Sequence, residues 1–355
     1  MDIGFCPECH VPDTFVQAHE WLNNGDIVQR ASHENRLAFF ECENFDPLFE
    51  NIGEIIGVSI EHLIINITAR AFERYLEQII TPEIREMIQS KKIDTNIIVK
   101  MIANLAQIAG HGKYEWIGYR YENDADDFAK QRVTEPFSVI LAAGGFAGAI
   151  AASVGGEHGV TYEEVEPGVY ELTTGWSKYP AVLKEKLRLG RYVHKDGQIE
   201  LERCGTCGGP KKLSEFQWLL DRGIIVNRQT GRRMAMLGPA MLDTIFTALE
   251  AEIDETIPQV VVEAQRRFVK TGFYPLDILK SEEELRTNLA LRGLGNLRHL
   301  DYGQERIRLR VDNTCLHLLF IGMVQGTFEL TSGKESKLEW ERSKEGDLEM
   351  EVTAK

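Results

Sequence analysis

The sequence predicts a mixed α/β protein of the α+β type, made of two tandem copies of one module. Each copy is predicted to be a helical layer on a small antiparallel sheet, and a pseudo-two-fold axis is expected to relate the copies. Three observations predict this fold. The 355 residues are enough for two cores. Both halves open on a Cys-x-x-Cys pair, and both close on a helix with two glycines followed by two short strands.

The repeat keeps a constant offset at each of its ends. The opening segment recurs 198 residues later, without a gap over residues 6–30. Matching pairs there are Cys6 and Cys204, Cys9 and Cys207, Pro12 and Pro210, and Gly25 and Gly223. The closing segment recurs 178 residues later, with matching pairs Gly144 and Gly322, Gly148 and Gly326, Gly155 and Gly333, and Gly168 and Gly346. The second copy is therefore about 20 residues shorter in its middle.

These offsets set the predicted domain boundaries. The first copy is expected over residues 1–173 and the second over residues 204–355. Residues 174–203 bridge the copies. This bridge is predicted to hold a helix over Pro180–Leu189 and a hairpin-like stretch around Lys195-Asp196-Gly197.

Each copy is predicted to start with the Cys-x-x-Cys turn and a short helix, which ends near Trp21 or Trp218. Gly25 and Gly223 are typical of helix stops. The apolar residues after each glycine favour a short strand.

Helices are predicted in the middle of each copy. Apolar spacing favours helices over Ala69–Ile80 and Asn96–Ala109 in the first copy. Thr81-Pro82-Glu83 is typical of a helix start, because it supplies a cap, a first-turn proline and an acidic residue near the positive end of the helix dipole. In the second copy a capping-box sequence begins at Ser281, and that helix is expected to stop near Gly293.

A strand, a helix and two further strands are predicted to close each copy. The strand is expected near Tyr114–Tyr121 or Arg306–Val311, and the helix is expected to start near Pro136 or Asp312. This helix carries glycines four residues apart, which lie on one face and let another element approach closely.

Charge and composition exclude some classes of partner. The net charge of −15 disfavours nucleic acid and an anionic membrane surface as partners. Residues 137–154 carry no charge, but they are rich in Ala and Gly, so a buried helix is favoured over a membrane span. The start of the chain does not resemble a signal peptide. The six cysteines therefore favour a reducing cytoplasm, where a cysteine pair is more often a metal or redox site than a disulfide.

The closing segments resemble the C-terminal half of the 4-vinyl reductase domain, a hydrocarbon-binding domain. They read PFSVILAAGGFAGAIAASVGGEHGVTYEEVEPGVYEL and NTCLHLLFIGMVQGTFELTSGKESKLEWERSKEGDLEM, and the glycine pairs of Gly110-His111-Gly112 and Gly293-Leu294-Gly295 precede them. The resemblance covers about 60 residues of each copy. That family is similar in fold to TRAPP vesicle-tethering subunits and distantly to heme nitric-oxide-binding domains. The resemblance implies binding of small hydrophobic molecules, in sensors or in tetrapyrrole metabolism. The cysteines that the family often carries in its last two strands are missing here, as are an ATPase segment and a helix-turn-helix.

The two Cys-x-x-Cys pairs predict a zinc site. Structural Zn²⁺ takes four ligands, and each pair supplies only two. Cys6, Cys9, Cys204 and Cys207 together are enough if the two amino-terminal turns meet in space. The sequence leaves open covalent heme at the Cys-x-x-Cys-His of the first pair, a redox dithiol, and simple core packing. We expect Cys42 and Cys315 to be buried apolar residues rather than ligands.

The sequence contains no recognisable catalytic set, so we favour a binding protein over an enzyme. The expected function is a sensor-type protein that binds a small hydrophobic ligand and holds one Zn²⁺ between its copies. His111, Tyr114, Trp116 and Phe137, near the glycine pair, are the candidate pocket residues. Two alternatives stay open: a reductase or tetrapyrrole-related enzyme with a bound cofactor, and an assembly or scaffold protein. A homodimer or a protein partner fits any of these.

Overall fold

The computed structural model describes residues 3–77, 79–93, 95–122, 124–156, 158–176 and 192–355. We refer to the described residues up to 176 as the first half and to those from 192 as the second half. The α-helices are α1 (Asp13–Ala18), α2 (Phe45–Ile56), α3 (Glu61–Leu76), α4 (Pro82–Gln89), α5 (Thr95–Ile108), α6 (Val139–Val154), α7 (Pro239–Glu252), α8 (Ile257–Val269), α9 (Glu282–Leu291) and α10 (His317–Ser332). Short 3-10 helices lie at Cys42–Asn44 and Lys211–Glu215.

The strands are all antiparallel to their neighbours. They are β1 (His19–Trp21), β2 (Ile27–Gln29), β3 (Ser32–Glu41), β4 (Lys113–Arg120), β5 (Phe128–Thr134), β6 (His158–Glu166), β7 (Val169–Trp176), β8 (Phe216–Leu219), β9 (Ile224–Asn227), β10 (Arg233–Leu237), β11 (Asn296–Tyr302), β12 (Arg306–Asp312), β13 (Ser336–Arg342) and β14 (Leu348–Ala354). Helices and antiparallel sheets in one chain confirm the predicted α+β class.

Three sheets organise the molecule. A central six-stranded sheet has the order β1-β2-β3-β10-β9-β8, with three strands from each half. The outer sheets have the orders β4-β5-β7-β6 and β11-β12-β14-β13, and a long helix, α6 or α10, precedes the last two strands of each. The equal strand orders support the predicted duplication, which stays a prediction.

The two halves meet in the middle of the central sheet. β3 pairs with β10, and Phe39 stands opposite Met236. Both side chains are buried. Because β3 and β10 lie side by side, the cores of the two halves form continuous apolar clusters.

The first strand of each half also contacts the other half. The Trp21 indole donates to the carbonyl of Leu291 at 2.9 Å, and the Trp218 indole donates to the carbonyl of Ile108 at 3.1 Å. Thus a tryptophan of each half holds the end of a helix, α9 or α5, in the other. The helices are exchanged in the same way, since α2 packs on α8 and α7 packs on α3. The predicted boundaries stay predictions, but the contacts show that neither half packs only on itself.

The paired glycines allow close helix packing, as predicted. A side chain at Gly148 would place its Cβ 2.3 Å from the carbonyl oxygen of Ala69 in α3. At Gly326 a Cβ would lie 2.8 Å from the Cβ of Val269 in α8. Both distances are below van der Waals contact, so α6 and α10 pack on these neighbours only because the glycines have no side chain.

Several sequence predictions are wrong in detail. Trp21 and Trp218 lie in strands, because α1 ends at Ala18 and pairing of β1 with β2 takes over. The strands β3, β5, β10 and β11 were not predicted. No hairpin forms around Lys195-Asp196-Gly197, where the described residues have no regular secondary structure and the Gly197 amide donates to the Asn23 side chain. The helix predicted over Pro180–Leu189 lies outside the described residues.

The apolar stretch at residues 137–154 forms α6 inside the first half, where most of its side chains are buried. Within the ranges that the structure describes, no helix has both the length and the apolar character that a bilayer crossing requires.

Candidate metal centre and ligand cavity

The first Cys-x-x-Cys pair lies in a tight turn that the backbone closes on itself. The Cys6 amide donates to the carbonyl of Val11 at 2.9 Å, and the His10 amide donates to the carbonyl of Cys6 at 2.9 Å. His10 has a positive φ of 56°, a conformation that side-chain-bearing residues rarely adopt. The turn therefore presents both sulfur atoms on one side.

The second pair lies in a turn with the same hydrogen bonds. The Cys204 amide donates to the carbonyl of Gly209 at 2.8 Å, and the Gly208 amide donates to the carbonyl of Cys204 at 3.0 Å. Gly208 has a φ of 74° and stands where the first turn has His10. A glycine meets this backbone requirement without strain, so His10 is not needed for the turn and the two turns are alike without it.

The two turns bring all four sulfur atoms into one cluster. The Sγ atoms of Cys6 and Cys204 are 3.7 Å apart, and those of Cys9 and Cys207 are 3.5 Å apart. All four lie within 4.8 Å of one another. None of the four cysteines is in a disulfide. A tetrahedral ion with metal–sulfur bonds of about 2.3 Å would separate its sulfur ligands by about 3.8 Å.

The donor set of this cluster suits a soft or borderline metal ion. Four thiolates around one point would repel each other strongly without a cation between them. Cys6, Cys9 and Cys204 are at most 2% exposed, so water would not screen that repulsion. The residues present therefore fit a tetrahedral metal site, and the cluster could hold a metal ion.

The protein surroundings already favour one thiolate. Burial raises the pKa of the Cys6 thiol, but hydrogen bonds from the backbone amides of Cys9 and Glu8, together with those to the Cys9 and Cys204 side chains, outweigh burial and lower it to about 7. Burial raises the pKa of Cys9 and of Cys207. Metal binding releases the protons of such thiols, because only the thiolate is a ligand.

Glu8 joins the two turns outside the sulfur cluster. Its carboxylate accepts from the Thr206 amide at 3.1 Å and from the Thr206 hydroxyl at 2.9 Å. It also accepts from the Gly205 amide at 3.4 Å. The carboxylate of the first turn thus orients the backbone of the second, which aligns Cys204 and Cys207 with the first pair.

A cavity of about 2000 Å³ lies mainly in the first half, and Tyr192, Met236 and Met241 of the second half also line it. Its walls come from α3, α5 and α6, the inner face of β4 and β5, and the α1–β3 region next to the cysteine turns. Drug-sized ligands occupy pockets of about 300–1000 Å³, so this cavity has room for a large or extended molecule.

The rim of this cavity carries large apolar side chains beside charged ones such as Lys91 and Glu122. The following side chains line it and are 43–60% exposed: Ile79, Met101, Leu105, Tyr119 and Phe128. On α6 the cavity is bordered by small residues, including Ala142, Gly145 and Ala149. A Cβ added at Gly145 would meet nothing within 4 Å. Large apolar side chains at the rim and small ones inside suit an apolar ligand.

All four predicted pocket residues line this cavity. They are His111, Tyr114, Trp116 and Phe137. The His111 ring lies against the Phe137 ring, with centroids 4.4 Å apart, and Trp116 meets Phe146 of α6 edge to face at 6.3 Å. The structure therefore brings the four residues together, whereas their ligand-binding role stays a prediction.

His111 presents a hydrogen-bond acceptor to its surroundings. Its Nε2 lies 2.8 Å from the carbonyl oxygen of Met236, which can only accept, so Nε2 carries a proton. Burial lowers the pKa of His111 to about 4, and the ring is neutral at pH 7. Nδ1 is then an acceptor with no partner among the described residues.

On the wall that β4 and β5 form, two further polar groups lack a protein partner in the described part of the chain. The Tyr114 hydroxyl makes no hydrogen bond there, and burial alone raises its pKa. The Gln131 carboxamide on β5 makes none either, although the residue is only 8% exposed. Sequence reasoning missed Gln131, because only its pairing with Trp116 across β4 and β5 places it in the cavity.

The chain is matched by no family model and by no curated protein. The predicted resemblance to the 4-vinyl reductase domain therefore stays a prediction. Distant structural similarity exists to solved H-NOX domains. A mutant of T. Tengcongensis H-NOX is 14% identical with a TM-score of 0.25, and the match covers 34% of this chain and 75% of that one.

Two other solved structures give the same result. A Cs H-NOX mutant with the unnatural amino acid 4-cyano-L-phenylalanine is 14% identical with a TM-score of 0.26, covering 34% of this chain and 74% of that one. An oxygen-binding H-NOX domain related to soluble guanylate cyclases is 14% identical with a TM-score of 0.23, covering 32% and 71%. Similarity at TM-scores this low says nothing further about this chain.

Proposed function

We propose that this protein binds a small hydrophobic molecule in the cavity of its first half, as a sensor or carrier rather than an enzyme. The observation that carries the proposal is the cavity of about 2000 Å³, whose rim exposes large apolar side chains. Leaving such side chains in water costs about 25 cal/mol for each Å² of apolar surface. A bound apolar molecule would recover that free energy.

Titration with the neutral fluorophore Nile red tests this function. The full chain should bind the dye saturably, with increased and blue-shifted emission. Gly145→Met should weaken binding about tenfold or more, because the new side chain fills the open space beside Gly145 and removes apolar contacts. Glu54→Met on the exposed side of α2, outside the cavity, is the matched control and should bind like the wild type. Saturable binding that Gly145→Met leaves unchanged would place the dye elsewhere and contradict the proposal.

We further propose that the four cysteines hold one structural Zn²⁺ that joins two duplicated copies, in a reducing cytoplasm. The sulfur separations of 3.5 and 3.7 Å support a tetrahedral ion. The equal turns of the two halves support the duplication, and the six free thiols agree with a reducing compartment.

Metal analysis of the purified chain tests the zinc site. About one Zn²⁺ per chain is expected, since four thiolates complete one structural site. Cys204→Ser should lose the metal and lower the unfolding midpoint, while Cys315→Ala, a thiol outside the cluster, should keep the metal. A chain that carries almost no zinc, together with unchanged stability of Cys204→Ser, would refute the zinc proposal without affecting the cavity.

A further inference from the structure

The region of the second half that corresponds to the cavity is filled with side chains. Comparing the residues at corresponding positions indicates which ligand the cavity binds. β4 and β5 pair in the same way as β11 and β12, with one bulge in each ladder: after Trp116 in β4 and after Leu297 in β11. Tyr114 stands opposite Val133 in the first half, and Leu297 stands opposite Val311 in the second. Tyr114, whose hydroxyl has no described protein partner, thus corresponds to Leu297, which is fully buried.

The next row of the two sheets shows the same change. Trp116 stands opposite Gln131 in the first half, and Leu300 stands opposite Leu309 in the second. Gln131 therefore corresponds to Leu309, which is 1% exposed. A carboxamide faces the cavity where the filled half has an apolar side chain.

His111 also has an apolar counterpart in the second half. Its amide donates to the carbonyl of Ala106 at 2.9 Å, and the amide of Leu294 donates to the carbonyl of Leu289 at 2.8 Å, in the same helix-ending turn. Gly110 and Gly293, just before these residues, both have positive φ values. His111 thus corresponds to Leu294.

Three polar side chains without described protein partners therefore line the cavity, and leucine stands at all three corresponding positions of the filled half. The three polar groups face the cavity, where a bound molecule can reach them, whereas the three leucines pack against the core of the second half. The polar groups are accounted for if a ligand supplies their missing partners.

The charged residues of the cavity wall limit the charge of that ligand. Each cation that lines the cavity in the described chain is already engaged by another group. These cations are Arg30, Arg36, Arg70, Arg74, Lys91 and Arg120. A carboxylate or phosphate would have to compete with the groups that already engage these cations, which favours an uncharged ligand.

We propose that the ligand is an uncharged, mainly apolar molecule with a hydroxyl group, which donates to His111 Nδ1 and contacts Tyr114 and Gln131. The hydroxyl suits this set because His111 supplies a fixed acceptor, while the Tyr114 hydroxyl and the Gln131 carboxamide can accept or donate. This inference rests on the proposed ligand-binding function and names its ligand class.

Competition against Nile red with matched small molecules tests the inference. Octanol and its isomer methyl heptyl ether differ in the hydroxyl proton but not in atom count, and octanoate adds a charge. Octanol should bind more tightly than either. In His111→Leu and in Gln131→Leu the octanol-to-ether affinity ratio should fall about three- to tenfold, the effect of one net hydrogen bond. Tyr75→Phe is the control, because the Tyr75 hydroxyl lines the cavity but already accepts from Gln29.

The outcomes separate this inference from the function on which it rests. If neither Nile red nor any of the three compounds binds, the proposed function itself fails. If all bind and the octanol-to-ether ratio is the same in the wild type and both leucine variants, the function stands and the hydroxyl inference is wrong. Equal melting temperatures of the variants and the wild type would show that a changed ratio does not come from unfolding.

Discussion

The two halves of this protein have matching outer sheets but different interiors: the first half forms most of a large cavity that opens to solvent, and the second half is filled. The difference lies in side chains rather than topology. Along the helix before the last two strands, small residues of α6 correspond to large residues of α10. Such pairs are Ala142 and Phe320, and Gly145 and Met323; at a third position Ile150 of α6 corresponds to the larger Phe328 of α10.

The surrounding helices differ in the same sense. In the first half α5 places exposed apolar side chains, such as Met101 and Leu105, along the cavity. In the second half the shorter α9 buries Leu285 and Leu289 against the core instead. The same fold can therefore hold either a cavity or a filled core, depending on the volumes of a few side chains.

Truncating a large residue of the filled half should have the largest effect on stability. Phe328 is 1% exposed and packs in the core, so Phe328→Ala should lower the free energy of unfolding by about 3–5 kcal/mol. Ile150, at the corresponding position of α6, already borders the cavity, and Ile150→Ala should cost clearly less. Urea denaturation of both variants measures the difference. Equal losses would mean that the first half is packed as tightly as the second.

Acid should weaken the protein through its buried histidines, and His111 is the one at the cavity wall whose counterpart in the second half is a leucine, Leu294. Burial lowers the pKa of His111 from 6.5 to about 4, so below pH 6.5 the unfolded chain takes up the proton first and stability falls toward pH 4. Between pH 7 and pH 4.5 this histidine should cost about 2–3 kcal/mol. His111→Leu introduces the residue that the second half has at this position. Its free energy of unfolding should fall by about 2–3 kcal/mol less than that of the wild type between pH 7 and pH 4.5.

The free energy of unfolding at the two pH values, for the wild type and His111→Leu, checks this prediction. Burial also lowers the pKa of His317, in the second half, to about 3. That histidine is present in both proteins and cancels in the comparison. Parallel pH dependences of the two proteins would contradict the buried neutral state of His111.

The sequence predicted the elements that carry the repeated motifs. It missed strands that are defined mainly by their pairing with other strands. The spacing of Gly144 and Gly148 correctly predicted a close helix contact. β5 was missed because Gln131 interrupts the alternation of Ala129 and Val133, which otherwise face inward. The interruption is itself informative, since Gln131 is one of the polar groups of the cavity wall.

The candidate site divides in the same way. The spacing of the two cysteine pairs was enough to predict that four sulfur atoms would meet, and they do. The cavity could not be predicted, because distant segments build its wall. His111, for example, is held by the carbonyl of Met236, which is 125 residues away in the exchanged strand β10. Exchange between halves leaves no local signal in the sequence.

The smallest expected effects concern the glycines of α6 and α10. They test whether the two halves pack these helices alike and differ only in the volume of the side chains beside the cavity. Gly148→Ala and Gly326→Ala should each cost about 1–3 kcal/mol, because the added Cβ meets the backbone of α3 in one case and Val269 of α8 in the other. Gly145→Ala should instead add about 0.5–1 kcal/mol, since the site is open and alanine favours a helix over glycine. Thermal and urea unfolding of the three variants would measure this. A loss at Gly145 as large as that at Gly148 would show that the cavity side of α6 is not open, because only a close neighbour could cancel the helical preference of alanine.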